Sequence, residues 1–345
     1  CGQIAQFASP SVRSSLLMAS LFTLMQDKNS SVRATAVKSV GSLITRFEDD
    51  TKFDALTSEV IRLLKDPDDL IVSVTQRHLV LAMIDWADAL GILHSRFISF
   101  FLAQARQFLA QLKDAEGDME TADRVVQDEH TRPASLIYNC IESAIPILAD
   151  ALLISTPDVS APTSVRVGGQ MGPEDRSSMR AALGALVLKA ASTKPFRSGN
   201  TYLDWLVTNF LPDVMEIALL APSVNCAILE KLCFILASLL REVGPVVANK
   251  AAQPVILARL ESSTVERERA RLLVLFFLST LVVVDSSELM GFLRKVIQNI
   301  AFAQENWSSA YLKPLKVSLA MICSSKGGSK HEPVLHVMGE LVVNP

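Results

Sequence analysis

An internal repeat narrows the possible folds of this chain more than any other feature. Leu24-Met25-Gln26-Asp27 followed by Val32-Arg33-Ala34 superimposes on Leu63-Leu64-Lys65-Asp66 followed by Ile71-Val72-Ser73, 39 residues later. Each copy reads as a helix, a tight turn marked by Asp, and a second helix opening on a β-branched residue. Period and pattern are those of a HEAT-type helical hairpin. One such hairpin cannot bury its apolar face alone, so hairpins stack. The expected fold is all-α, an α-solenoid of HEAT-type hairpins with an armadillo-like superhelical path. Arrays of this kind are usually binding surfaces.

Composition agrees with helix-on-helix packing. Half of the 345 residues are hydrophobic and only 20% are charged, which excludes a disordered chain. Aromatics are few, while Leu, Ala, Val and Ile dominate. The net charge of −3 leaves no broad basic field for a phosphate backbone, so no nucleic-acid partner is expected. The five cysteines, Cys1, Cys140, Cys226, Cys233 and Cys323, are odd in number and form no C-x-x-C pair. Reduced, mostly buried thiols in a cytoplasmic setting are expected. The chain opens at Cys1 with no basic n-region and reads as part of a longer protein. Its most apolar run, residues 272–284, has 13 residues against the roughly 20 that span a bilayer. No transmembrane segment is expected.

The first repeat places its outer helix over Ser14–Met25 and its turn over Gln26–Ser31. Its inner helix carries Val32, Ala36, Val40, Leu43 and Phe47 on one face. The second repeat runs from Phe53 to Ala89 with its turn at Asp66-Pro67-Asp68. A third long helix covers Ser95–Lys113. Residues 114–132 read as a loop that is helical in part, and helix resumes over Pro133–Leu153, where Pro146 predicts a kink or a break. Residues 156–178 hold three prolines and three glycines and read as a flexible loop between an N-terminal array (1–155) and a C-terminal array (179–345). Helices are predicted beyond it at Arg176–Ser192, Asn200–Ala218, Ser223–Val243, Pro245–Leu260, Val265–Val284, Ser287–Phe302, Ser308–Cys323 and His331–Val342.

The chemistry-bearing motifs do not assemble. His331 and His336 miss the H-E-x-x-H spacing, and Cys226 and Cys233 lack further ligands nearby. His78 falls on the stripe of Ile71 and Val74 and reads as a partly buried core histidine. The glycine-bearing runs at 168–172 and 325–330 do not fit a phosphate loop. No nucleophile elbow occurs, and paired acids such as Asp49-Asp50 and Asp68-Asp69 lie at turns, where they cap helices. No catalytic residue, metal ligand or cofactor is expected. One surface pattern remains. Lys38 and Arg77 are 39 apart, so stacking sets them one above the other on successive inner helices, off the apolar stripe. They are the candidate partner-binding residues, a short basic ladder for an acidic segment.

The pattern goes further than a generic repeat. Val12-Arg13-Ser14-Ser15-Leu16, then Asp27-Lys28, Val32-Arg33, Lys38-Ser39 and Gly41, resembles the central HEAT region of the RELCH family, proteins with LisH, coiled-coil and HEAT segments. Asp66-Pro67, Val72-Ser73, Thr75, Trp86, Leu90-Gly91, Leu93 and Ser95 are similar to that family's second repeat. Trp205, Leu211-Pro212 and Glu216-Ile217 are similar to a later helix, with a fainter match at Leu315-Lys316 and His331-Glu332. The resemblance implies a non-enzymatic adaptor that tethers recycling endosomes to the trans-Golgi network. It implies two protein partners, a Rab GTPase and an oxysterol-binding protein, in cholesterol transport, with membrane association through them. Dimerisation of the full-length protein through LisH and coiled-coil segments is also implied. No functional residue transfers, because the matching positions are packing positions. The competing readings are another HEAT scaffold subunit, of phosphatase or transport-receptor type, and a helical lipid carrier. Trp86, Trp205 and Trp307 do not recur at the repeat period, which argues against a cargo-binding tryptophan ladder.

Overall fold

The computed structural model describes residues 7–116, 124–156, 172–193, 195–220 and 226–265, together with Glu268, Arg271, Leu272 and Leu275. Among these residues the fold is all-α, ten helices and no strand. We number them α1 (10–24), α2 (Ser30–Ile44), α3 (Phe53–Leu64), α4 (69–89), α5 (93–116), α6 (Arg124–Ile154), α7 (Pro173–Ala190), α8 (201–220), α9 (Cys226–Val243) and α10 (245–262). The chain divides into two compact units, Cys1–Ala151 and Leu152–Pro345.

The 39-residue repeat reappears as a repeated set of hydrogen bonds. In the first turn Asp27 Oδ1 accepts the Asn29 N–H at 2.8 Å, and Asn29 Oδ1 caps α2 by accepting from Ser31 N–H at 2.9 Å. In the second turn Asp66 Oδ1 accepts the Asp68 N–H at 3.0 Å, and Asp68 Oδ1 caps α4 by accepting from Leu70 N–H at 2.9 Å. Short side chains with oxygens satisfy the orphan donors of a helix start, so Asp-x-Asn and Asp-x-Asp both work.

The two turns are also tied to each other. Arg33 Nη1 donates to the carbonyls of Asp27 at 2.9 Å and Lys28 at 3.2 Å, while its Nη2 donates to Asp66 Oδ1 at 2.9 Å. The frame places Val72 where Arg33 stands, so this link is made once. Arg62 Nη2 donates to the Met25 carbonyl at 2.9 Å, closing the end of α1. Trp86 Nε1–H donates to the Phe47 carbonyl at 3.0 Å, and these two residues are themselves 39 apart. The Trp86 ring packs edge-on to Phe47 and against Phe53, with centroids 6.1 and 5.5 Å away.

In unit 1, α2 packs on α4, and α3 packs on α4. Gly41 of α2 meets the backbone of His78 and Leu79 on α4. On the far side of α4, Arg132 pairs with Asp69, and Gln76 Nε2 donates to the Leu136 carbonyl of α6 at 3.4 Å. Helices α2, α4 and α6 therefore run side by side in the same direction. Helices α3 and α5 form the other layer, linked by Arg96 to Asp50 and Asp54 and by Lys65 Nζ, 4.4 Å from the Phe108 ring centroid.

Several expectations change in detail. Helix α6 starts at Arg124 and continues through Pro133 and Pro146, so residues 124–132 are helical and Pro146 does not break the helix. Helix α7 starts at Pro173, so the segment read as a 156–178 loop is helical over its last residues; Pro at the first helical position fits, since its missing N–H is not needed there. His78 is exposed, not partly buried. The cause is a π-type turn over Thr75–Val80. The extra residue in that turn advances the buried stripe to Leu79 and Val80.

In unit 2, α7 packs on α10, α8 on α9 and α10, and α9 on α10. Arg176 and Arg180 of α7 converge on the Glu242 carboxylate at 2.5 and 3.2 Å. The buried Asn200 caps α8 by accepting from Leu203 N–H at 3.0 Å. The predicted helices at Asn200–Ala218, Ser223–Val243 and Pro245–Leu260 correspond to α8, α9 and α10. Those predicted at Ser287–Phe302, Ser308–Cys323 and His331–Val342, and all but five residues of Val265–Val284, lie outside the described residues, as does the apolar run 272–284 apart from Leu272 and Leu275.

One described helix, Arg132–Ile154, is long and apolar enough to cross a membrane. Its apolar residues Ile137, Ile141, Ala144, Ile145, Leu148 and Leu152 are buried in the protein, as in a core helix. Cys140 on the same stretch is a free thiol whose pKa burial pushes up to about 12, so it is inert packing.

Candidate protein-interaction face

Helices α2 and α4 lie side by side and share an exposed surface. On α2 it carries Thr35, Lys38 and Ser42, and on α4 it carries Leu70, Arg77, His78, Leu81, Asp85 and Asp88. Lys38 and Arg77, the two residues singled out by the repeat, are both exposed here. The approach at Gly41 is close, since a Cβ there would lie 3.1 Å from the His78 carbonyl oxygen. Helix axes at small-residue contacts fall toward the low end of the 8–10 Å range, which brings the two rows of side chains together.

The two cations differ from four arginines of unit 1. Arg33, Arg62, Arg96 and Arg132 are each committed to a carboxylate. Lys38 and Arg77 have no ion pair or side-chain hydrogen bond among the described residues.

The same face carries residues that periodicity alone did not single out. Leu70 and Leu81 are 49% and 44% exposed, values that decide they are not core. With Arg77 they stand at intervals of seven and four, one side of one helix. Further along, Asp85 and Asp88 supply the opposite charge. Although the residue is exposed overall, partial desolvation by its neighbours raises the Asp85 carboxyl pKa. Partial desolvation raises that of Asp88 too, helped by the negative charges of Asp85 and Asp150. The i, i+7, i+11 spacing of Leu70, Arg77 and Leu81 was a usable signal, obscured because leucines on a helix are assigned to the core by default.

Among the described residues no group of three or more His, Cys, Asp or Glu side chains is placed to hold a metal ion. His331 and His336 lie outside the described residues, as does the side chain of Cys226. His94 is buried, and desolvation lowers its pKa.

The family model for the RAB11-binding protein RELCH N-terminal domain matches residues 1–157, the stretch that contains α1 to α6. Over those residues the chain is similar to the RELCH family. A RAB11-binding protein RELCH homolog from Xenopus tropicalis is 29% identical over 161 residues, covering 46% of this chain and 12% of the relative. A homolog from Danio rerio is 27% identical over 237 residues, 63% of this chain and 18% of the relative. RAB11-binding protein RELCH from Homo sapiens is 26% identical over 271 residues, 74% of this chain and 21% of the relative. The chain thus matches about a fifth or less of the length of these RELCH proteins. The matching family model is described as the N-terminal domain, where the sequence resemblance pointed to a central HEAT region.

Proposed function

We propose that this chain is the Rab-binding part of a non-enzymatic scaffold, an adaptor that recognises a RAB11-type GTPase. The observation that carries the reading is the name its relatives bear, RAB11-binding protein, together with a packed helical unit in which two exposed cations are uncommitted among the described residues. A stack of parallel inner helices offers a long, pre-formed surface and needs no bond chemistry. The finer reading follows the family resemblance. The full-length protein tethers recycling endosomes to the trans-Golgi network. It engages an oxysterol-binding protein, which moves cholesterol, and meets membranes through its partners from the cytoplasmic side.

The test is a pull-down of the purified chain with RAB11 loaded with a GTP analogue or with GDP. Capture that prefers the GTP form is expected, weakened by Lys38→Glu and by Arg77→Glu. Absence of binding in both nucleotide states, by a chain whose helical circular dichroism is intact, would reject direct Rab recognition by this chain.

A further inference from the structure

The shared face of α2 and α4 has an order along its length. From the start of α4 it runs Leu70, Arg77, Leu81, Asp85, Asp88, and α2, which packs on α4, carries the exposed Lys38. At 1.5 Å per residue the strip is about 27 Å long, roughly five helical turns. Its cationic end is uncommitted among the described residues, and Asp85 and Asp88 likewise form no ion pair there. Two leucines interleave with the charges. Exposed leucines alone are ordinary. Leucines on the same line as unmatched charges of both signs make a pattern with a complement.

We propose that this strip is a docking site for an amphipathic helical segment of a partner protein, one that presents apolar, acidic, apolar and basic residues in that order. The complement follows from charge. A carboxylate meets Arg77 and Lys38, apolar side chains cover Leu70 and Leu81, and a cation meets Asp85 and Asp88. Opposite signs at the two ends fix the direction in which the segment lies, because the reversed placement sets like charges against each other. A helix suits the strip because its anchors recur at helical intervals. The inference rests on the reading of this chain as a binding scaffold and does not require the segment to come from a Rab.

The experiment uses the full 345-residue chain. Two fluorescent helical peptides of roughly 22 residues, long enough for the strip at 1.5 Å per residue, carry Leu, Glu, Leu, Lys and Lys at the intervals of Leu70, Arg77, Leu81, Asp85 and Asp88, one in each chain direction. A scrambled peptide is the control, and binding is read by fluorescence anisotropy. One direction is expected to bind above the scrambled control. Arg77→Glu is expected to weaken it at least about tenfold, as is typical for a charge reversal at a complementary contact. Replacing the peptide Glu by Arg is expected to restore binding to that variant. Leu81→Ser is expected to weaken binding as well, and Lys28→Glu, the same charge change in the exposed α1–α2 turn, to leave it unchanged. The proposal is overturned if neither peptide exceeds the scrambled control, or if Arg77→Glu and Lys28→Glu act alike. Rab capture lost in Arg77→Glu with no peptide bound overturns it and leaves the Rab reading standing. Arg77-dependent peptide binding without Rab capture supports it and removes the Rab reading.

Discussion

At the scale of single residues, Arg33 and His94 show how much one side chain carries. The Arg33 and Asp66 side chains are 13% and 5% exposed, so their pair is largely shielded from water. Removing the guanidinium strands a buried carboxylate and two carbonyls. Arg33→Ala should therefore cost about 2–4 kcal/mol in urea unfolding, below the full penalty of breaking a wholly buried pair. Arg33→Lys should recover only part of it, because one ammonium cannot span two carbonyls and a carboxylate in the planar fork geometry. His94 makes a pH prediction. Burial lowers its pKa in the folded state, so the unfolded chain takes up the proton first. Its contribution to stability is complete above the unfolded value of about 6.5 and is lost as pH falls from there toward the folded value. The melting temperature should drop between neutral and mildly acidic pH, and His94→Gln should flatten that slope. An unchanged slope in the variant would count against this assignment.

At the scale of elements, close approach between α2 and α4 decides the stack. Gly41 has no Cβ to collide with the His78 carbonyl, and backbone lies on both sides of the contact. Two effects compete in Gly41→Ala. Helix propensity gains about 1 kcal/mol, while overpacking against backbone costs roughly 1–3 kcal/mol. Overpacking should win, giving a net loss of about 1 kcal/mol, and Gly41→Val should lose more. At Gly184 the new Cβ would meet only the Val246 side chain at 3.3 Å, which can shift. Gly184→Ala should be near neutral in the same denaturation measurement. Elements also show what the sequence hid. The hairpin turns were legible because Asp and Asn caps are local chemistry. The exposure of His78 was not, because the π-type turn at Thr75–Val80 is set by packing between neighbours and has no composition cue. Pro146 sits in an unbroken α6 because burial of the apolar residues around it outweighs the lost hydrogen bond.

At the scale of the whole molecule, two compact units predict unfolding that is not two-state. Calorimetry should show two components. Arg33→Ala should lower one, and Arg180→Ala, which removes a cation from Glu242, should lower the other. A single transition displaced equally by both variants would rule this out. The RELCH relatives it matches are several times longer than this chain.

The sequence by itself determined the helix class, the 39-residue register and the turn chemistry, because helical periodicity, capping and propensity act over a few residues. It also marked Lys38 and Arg77 as a pair, since a repeat offset maps directly onto stacked helices. Only the tertiary structure decided which cations are committed. Arg33 and Arg77 are the same residue type, yet one is clamped between two turns and the other is exposed without an ion pair among the described residues. That difference depends on distances between segments far apart in the chain. It is also what separates Leu70 and Leu81, exposed beside Arg77, from Leu79, buried on the opposite side of the same helix.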